Sequence, residues 1–133
     1  MGALLTRATI KQQAADQKGQ SVFTLAQQHY ALWSEAQQRD DLKRIFQRNA
    51  DLSQPPTLAE EEYLNLIIAH YLVGWESAKT KNFPTLETLS KDAGDFFSRP
   101  LPRAIWEKTK ETRDPRFVRF VERAVERGGP LSI

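Results

Sequence analysis

The sequence predicts an all-α fold, a compact bundle of about five to six helices around a central apolar helix, preceded by a polar helical extension. Three observations carry this. Apolar residues recur at steps of three and four along most of the chain, the spacing of one helix face. Capping residues and prolines stand where those runs begin. No segment alternates apolar and polar residues as a half-buried strand would.

Residues 1–20 form the extension. They are rich in Ala and Gln, which suit a helix, yet they carry few anchors. Ala8, Ala15 and Val22 stand seven apart, but Lys11 and Lys18 occupy the matching positions and spoil a coiled-coil seam. The expectation is a helix that frays or needs a partner. From residue 21 to 39 the period becomes helical, through Val22, Leu25, Ala26, His29, Leu32, Trp33 and Ala36. Asp40 and Asp41 read as caps to a short helix anchored by Leu42, Ile45 and Phe46. Pro55 and Pro56 exclude helix from the loop 49–56.

Thr57 and Glu60 make a capping box, in which the hydroxyl accepts from the backbone three residues on and the carboxylate reaches back. Beyond it, Tyr63, Leu64, Leu66, Ile67, Ile68, Tyr71, Leu72, Val73 and Trp75 point almost all round the helical wheel. A helix apolar on every side is expected to be buried on every side. Lys79 suits the negative end of its dipole. Phe83-Pro84-Thr85 restarts the chain into an amphipathic helix of Leu86, Leu89, Ala93, Phe96 and Phe97, with Gly94 as a weak point. Residues 99–102, which include Pro100 and Pro102, read as a break before a short helix carrying Ile105 and Trp106. Asp114-Pro115 is an N-cap followed by a first-turn proline. It opens a last helix with Phe117, Phe120, Val121, Ala124 and Val125 on one side, ended by Gly128 and Gly129. The expected organisation is therefore an extension at 1–20, a bundle at 21–127 and a tail at 128–133.

A chain of 133 residues suits one domain. Without cysteine it has no disulfide, thiolate ligand or thiol nucleophile. Its 19 basic and 17 acidic residues leave a formal charge of +2, so only a local patch could favour nucleic acid or an anionic surface. The longest apolar stretch, 63–75, is interrupted by Asn65, His70 and Gly74, well short of the roughly 20 apolar residues that cross a bilayer. The N-terminus lacks the apolar block of a secretory signal. A cytoplasmic location is expected, or a membrane-associated one if the chain is a piece of a longer, anchored protein.

Chemistry is sparsely signalled. His29 lies on the apolar side of its helix and His70 in the central helix, and Glu60, Glu61 and Glu62 supply carboxylates near His70 in sequence. Neither a His-x-x-x-His nor a Glu-x-x-His pair is present, so the two histidines read as core or boundary side chains and no metal ligand set is assigned. No serine sits in a nucleophile elbow, and no glycine loop is placed to cradle phosphate. No catalytic residue and no cofactor is therefore expected. Asn65 and His70 are candidates for a buried polar site, because a polar group within an apolar helix needs a partner. Arg116, Arg119, Arg123 and Arg127 fall within about 80° of arc and are candidate contacts for an anionic partner. With Arg99, Arg103, Lys108, Lys110 and Arg113 they make the C-terminal third basic. Against that, Glu122 and Glu126 stand at pairing distance on the same helix, as they would on an ordinary solvated face. Trp33, Trp75 and Trp106 occupy three helices and read as core that could meet in one cluster, with a groove for a partner helix as the alternative.

Trp106, then Asp114-Pro115-Arg116-Phe117-Val118-Arg119-Phe120-Val121, together with Leu64-Asn65-Leu66 in an apolar helix, resembles a family of small bacterial helical proteins without an assigned activity. The resemblance spans about residues 20–127 and implies a helical bundle. Many of those proteins carry an N-terminal membrane helix and then a polar helix, and here only the polar helix has a counterpart. The leading expectation is a non-enzymatic protein–protein interaction or scaffold module, with a protein partner or self-association through the N-terminal helix. Nucleic-acid binding by the C-terminal arginines and a small enzyme with an unrecognised site are the alternatives.

Overall fold

The computed structural model describes residues 7–80 and 84–128, and of residues 14–21 the backbone alone. Five α-helices appear among them: α1 Arg7–Gln38, α2 Leu58–Lys79, α3 Leu86–Phe96, α4 Pro100–Thr109 and α5 Pro115–Gly128. Two 3-10 segments, Asp40–Phe46 and Lys110–Thr112, join them, and no strand occurs among the described residues. The fold is the all-α bundle that the periodicity predicts. Phe83, Gly129 and the tail beyond Gly128 lie outside the described residues.

The division expected at residue 20 falls inside α1, which runs unbroken for 32 residues, about 48 Å at helical rise. Leu25 and Ala36 are its buried apolar side chains among those described, so among those side chains it is the second half of the helix that meets the core. Asp40 and Asp41 do not cap the segment that follows. They stand in its first turn, and Arg39 holds the cap position without a side-chain bond. Their carboxylates pair instead with Lys43 at 2.8 Å and Arg39 at 2.8 Å.

α2 begins as expected. The Thr57 hydroxyl accepts from the Glu60 amide at 3.1 Å, and Glu60 Oε1 accepts from the Thr57 amide at 2.9 Å. Glu60 does more than close the capping box. Only 3% exposed, it also takes Arg44 in a two-pronged pair at 2.9 and 2.6 Å. The guanidinium donates onward to the carbonyls of Asp51, Gln54 and Pro55, which ties the proline loop to the bundle.

The buried side of α2 holds Tyr63, Leu64, Ile67, Ile68, Tyr71, Trp75 and Ala78. Burial on every side does not follow, however, because Leu66 and Val73 are 52% and 53% exposed. With α1, α3, α4 and a 3-10 segment packed on it and Phe117 of α5 against Trp75, α2 still has one face uncovered.

Thr85 caps α3 by accepting from the Thr88 amide at 3.1 Å. Gly94, expected to weaken this helix, is what lets α3 and α5 meet. A Cβ there would lie 3.0 Å from the Ala124 carbonyl carbon and closer still to its oxygen. The break expected at 99–102 is the start of α4, with Pro100 in the first turn, where no amide is needed. Asp114 Oδ1 accepts from the Arg116 amide at 2.8 Å and opens α5 as read from the sequence.

No two tryptophans touch, but one chain of rings joins all three. Trp33 meets Tyr71 at 5.9 Å, Tyr71 meets Phe97 at 5.2 Å, and Phe97 meets Trp106 at 5.1 Å. Trp106 then reaches Trp75 through Phe117, at 5.8 and 5.7 Å. Offset and edge-on ring contacts in this range add to the area they bury.

Candidate functional sites

The predicted arginine stripe lies on the rim of a groove between α2, α3 and α5. Its floor is apolar, from Trp75, Leu86, Phe120 and Ala124, and its volume is about 590 Å³. Lys79 of α2 and Lys91 of α3 join Arg116, Arg119, Arg123 and Arg127 around it. Glu87 is the acidic residue among the lining, and it pairs with Lys91 at 3.6 Å.

What the sequence left open was whether the stripe is neutralised. Glu122 turns away from it. Its Oε1 accepts from Trp106 Nε1 at 3.2 Å and from Lys110 Nζ at 3.0 Å. The basic residues upstream are likewise engaged: Arg99 with Asp95 at 2.9 Å, Arg103 with Glu107 at 3.0 Å, and Lys108 with Glu61 at 2.7 Å. Arg113 donates to Asn65 and Thr109, each at 3.0 Å. Arg116 pairs with Asp114 at 3.3 Å, whereas Arg119, Arg123 and Arg127 are exposed without an ion pair among the described residues. The basic third of the chain thus divides into cations spent on the fold and a cluster left for solvent.

Asn65 is exposed, contrary to the buried polar site expected there, and its Oδ1 accepts from Arg113 at the surface. It sits on the same uncovered side of α2 as Leu66. His70 is half-buried and meets the other histidine, with His29 Nδ1 and His70 Nε2 3.2 Å apart. His29 stacks on Trp33 with ring centres 4.0 Å apart, which fixes its plane. Burial, and then the neighbouring His29, push His70 down to about 4, so it is neutral at pH 7.

Both rings line a second cavity of about 220 Å³ between α1, α2 and α3. Tyr71 and Asp92 line it too, and neither stood out in the sequence. The Tyr71 hydroxyl is buried without a hydrogen-bond partner, close enough to Asp92 for burial and the carboxylate together to push it well up. Asp92 stands at the mouth with part of its surface in solvent, yet the surrounding protein desolvates the carboxylate and raises it. Among the described residues no three His, Cys, Asp or Glu side chains gather as a metal site. No described helix is long and apolar enough to cross a membrane. No family model, curated protein or solved structure matches the chain.

Proposed function

We propose that this protein is a non-enzymatic binding module whose α2–α3–α5 groove docks an acidic, amphipathic segment of a partner protein. The observation that carries the reading is the unpaired state of Arg119, Arg123 and Arg127 around an apolar floor. Apolar side chains of the segment cover Phe120, Leu86 and Ala124 while its carboxylates take the guanidinia, for which bidentate geometry suits arginine. From Arg116 to Arg127 the rim runs about 17 Å, the length of a three-turn helix or some five extended residues.

Nucleic acid meets the same cations less well. A single strand gains most from exposed rings on which bases stack. Trp75 is only 6% exposed, with Lys79 Nζ 3.9 Å from its ring centre, and Phe120 is half-buried.

Fluorescence anisotropy with a labelled peptide alternating Leu or Phe with Glu tests the proposal. Binding is expected to weaken with salt and on replacing the glutamates by Gln. Exposed ion pairs contribute roughly 0.2–1 kcal/mol each, so Arg119→Gln/Arg123→Gln/Arg127→Gln should cost about 3- to 150-fold in affinity. Equal binding by the triple variant, or tighter binding of a labelled oligonucleotide at the same salt, overturns it.

A second copy of the chain is the other partner with structural support. Phe23 and Tyr30, seven apart on α1, are 63% and 75% exposed. Light scattering over a concentration series tests this, and a monomer at every concentration removes it.

A further inference from the structure

We infer that the cavity between α1, α2 and α3 binds a small organic cation, an amine head on a compact apolar body, with Asp92 as its counter-charge. This site is separate from the groove and does not depend on what the groove binds.

The inference begins with charge. Asp92 has no ion pair among the described residues, although cations stand close by. Arg48 and Arg99 are committed to the next acid along, Asp95, at 3.0 and 2.9 Å. A carboxylate desolvated by protein and left without a lysine or arginine partner gains from a cation that comes to it. An anionic ligand would meet that carboxylate with no lysine or arginine among the lining residues to offset it.

Polarity comes next. Because His70 stays neutral, its ring keeps one N–H and one lone pair beside His29, whose Nδ1 lies 3.2 Å from its Nε2. Both rings line the cavity, so an N–H of an ammonium group has an imidazole acceptor available besides the Asp92 oxygens. Thr88 adds a hydroxyl.

The remaining walls decide against a bare metal ion. Leu25, Ala26, Pro84 and Leu89 are apolar and give an ion nothing to bind. They do suit the body of an organic ligand, since such sites are mostly apolar with a few placed polar groups. At about 220 Å³ the cavity is smaller than the roughly 300–1,000 Å³ of drug-sized sites. That limits the ligand to the size of phenethylamine.

One wall offers a clean variant. A Cβ added at Gly74 would lie 3.5 Å from Leu89 Cδ1, an ordinary contact, so Gly74→Ala keeps the fold while taking room from the cavity.

The experiment titrates phenethylamine, cyclohexylamine and, as uncharged and anionic counterparts, 2-phenylethanol and phenylacetate into the whole protein. Trp33 emission and histidine side-chain resonances read the binding, because Trp33 lies against His29. At least one amine is expected to saturate, with 2-phenylethanol tenfold or more weaker and phenylacetate weaker again. Asp92→Asn should cost tenfold or more, and Gly74→Ala should weaken the amine while the protein melts no lower than its parent. The inference is overturned if neither amine saturates, if the alcohol equals the amine, or if Asp92→Asn leaves the amine's affinity unchanged. Saturation by Zn2+ with both amines silent overturns it too.

Discussion

Gly94 and Gly74 both lie inside helices, and replacing either by alanine raises helix propensity by roughly 1 kcal/mol. The structure predicts opposite outcomes. At Gly74 the new methyl meets Leu89 Cδ1 at 3.5 Å and Cδ2 at 3.8 Å, and a flexible side chain receives it without strain. Gly74→Ala should therefore gain up to about 1 kcal/mol. At Gly94 the methyl meets backbone: the Ala124 carbonyl carbon at 3.0 Å, its oxygen nearer, and the Gly128 Cα at 3.4 Å. Relief requires α3 and α5 to part by several tenths of an ångström, and neither can rotate a side chain out of the way. Overpacking of this kind costs about 1–3 kcal/mol or more, and backbone contact puts it at the upper end. After the propensity gain, Gly94→Ala should lose about 2 kcal/mol. For a chain of this size that lowers Tm by roughly 6–10 °C. Urea unfolding followed by far-UV circular dichroism measures both variants, with the slope against urea held as the check that the unfolded states match. A Gly94→Ala protein as stable as its parent would refute the claim that this glycine sets the α3–α5 spacing.

Three further outcomes follow from the same reasoning. Arg44→Ala leaves the 3%-exposed Glu60 without its main partner and should cost about 3 kcal/mol, read by urea unfolding. Arg44 holds the Glu60 carboxyl below its ordinary 4.5, so the stability it provides is complete above that value and lost as pH falls through its folded one. His70 moves from 6.5 down to about 4, so the unfolded chain takes up its proton first. Stability should therefore fall as pH drops from 6.5 to 4, with Asp92, which is shifted upward, opposing part of the fall. An NMR titration showing an imidazole midpoint near 6.5 at His70 would contradict this. Finally, Glu122→Gln should cost about 1 kcal/mol in stability by weakening its bonds to Lys110 and Trp106, yet leave peptide affinity at the groove within a factor of two. A large gain in affinity would mean that Glu122 had been screening the arginines after all.

Local signals in the sequence carried far. The Thr57–Glu60 box, the Asp114-Pro115 start and the arginine arc are all properties of neighbours within one or two turns, and each appears where it was read. What sequence could not supply was the identity of partners across the fold. Gly94 reads as a defect until Ala124, 30 residues on, is placed against it. Glu60 reads as half of a capping box until Arg44 arrives from the other side of the proline loop. Asn65, Leu66 and Val73 were misjudged for one reason: an apolar wheel says that a helix is surrounded, but not whether its neighbours close every face, and one face of α2 stays open. The His29–His70 contact joins residues 41 apart with no spacing rule to announce it. Asp92 was just another acid in a helix with Lys91 beside it.

Arg44 has a consequence beyond its energy. All five of its N–H groups are committed, two to Glu60 and the others to the carbonyls of Asp51, Gln54 and Pro55. Residues 51–55 are exposed and mostly polar, the usual profile of a segment that proteases nick. A protease must draw several residues into an extended shape in its cleft, and here the carbonyls that would have to move are held by one side chain rooted in the bundle. Susceptibility to cleavage at that loop thus depends on opening the Arg44–Glu60 bond and is decoupled from how exposed the segment looks.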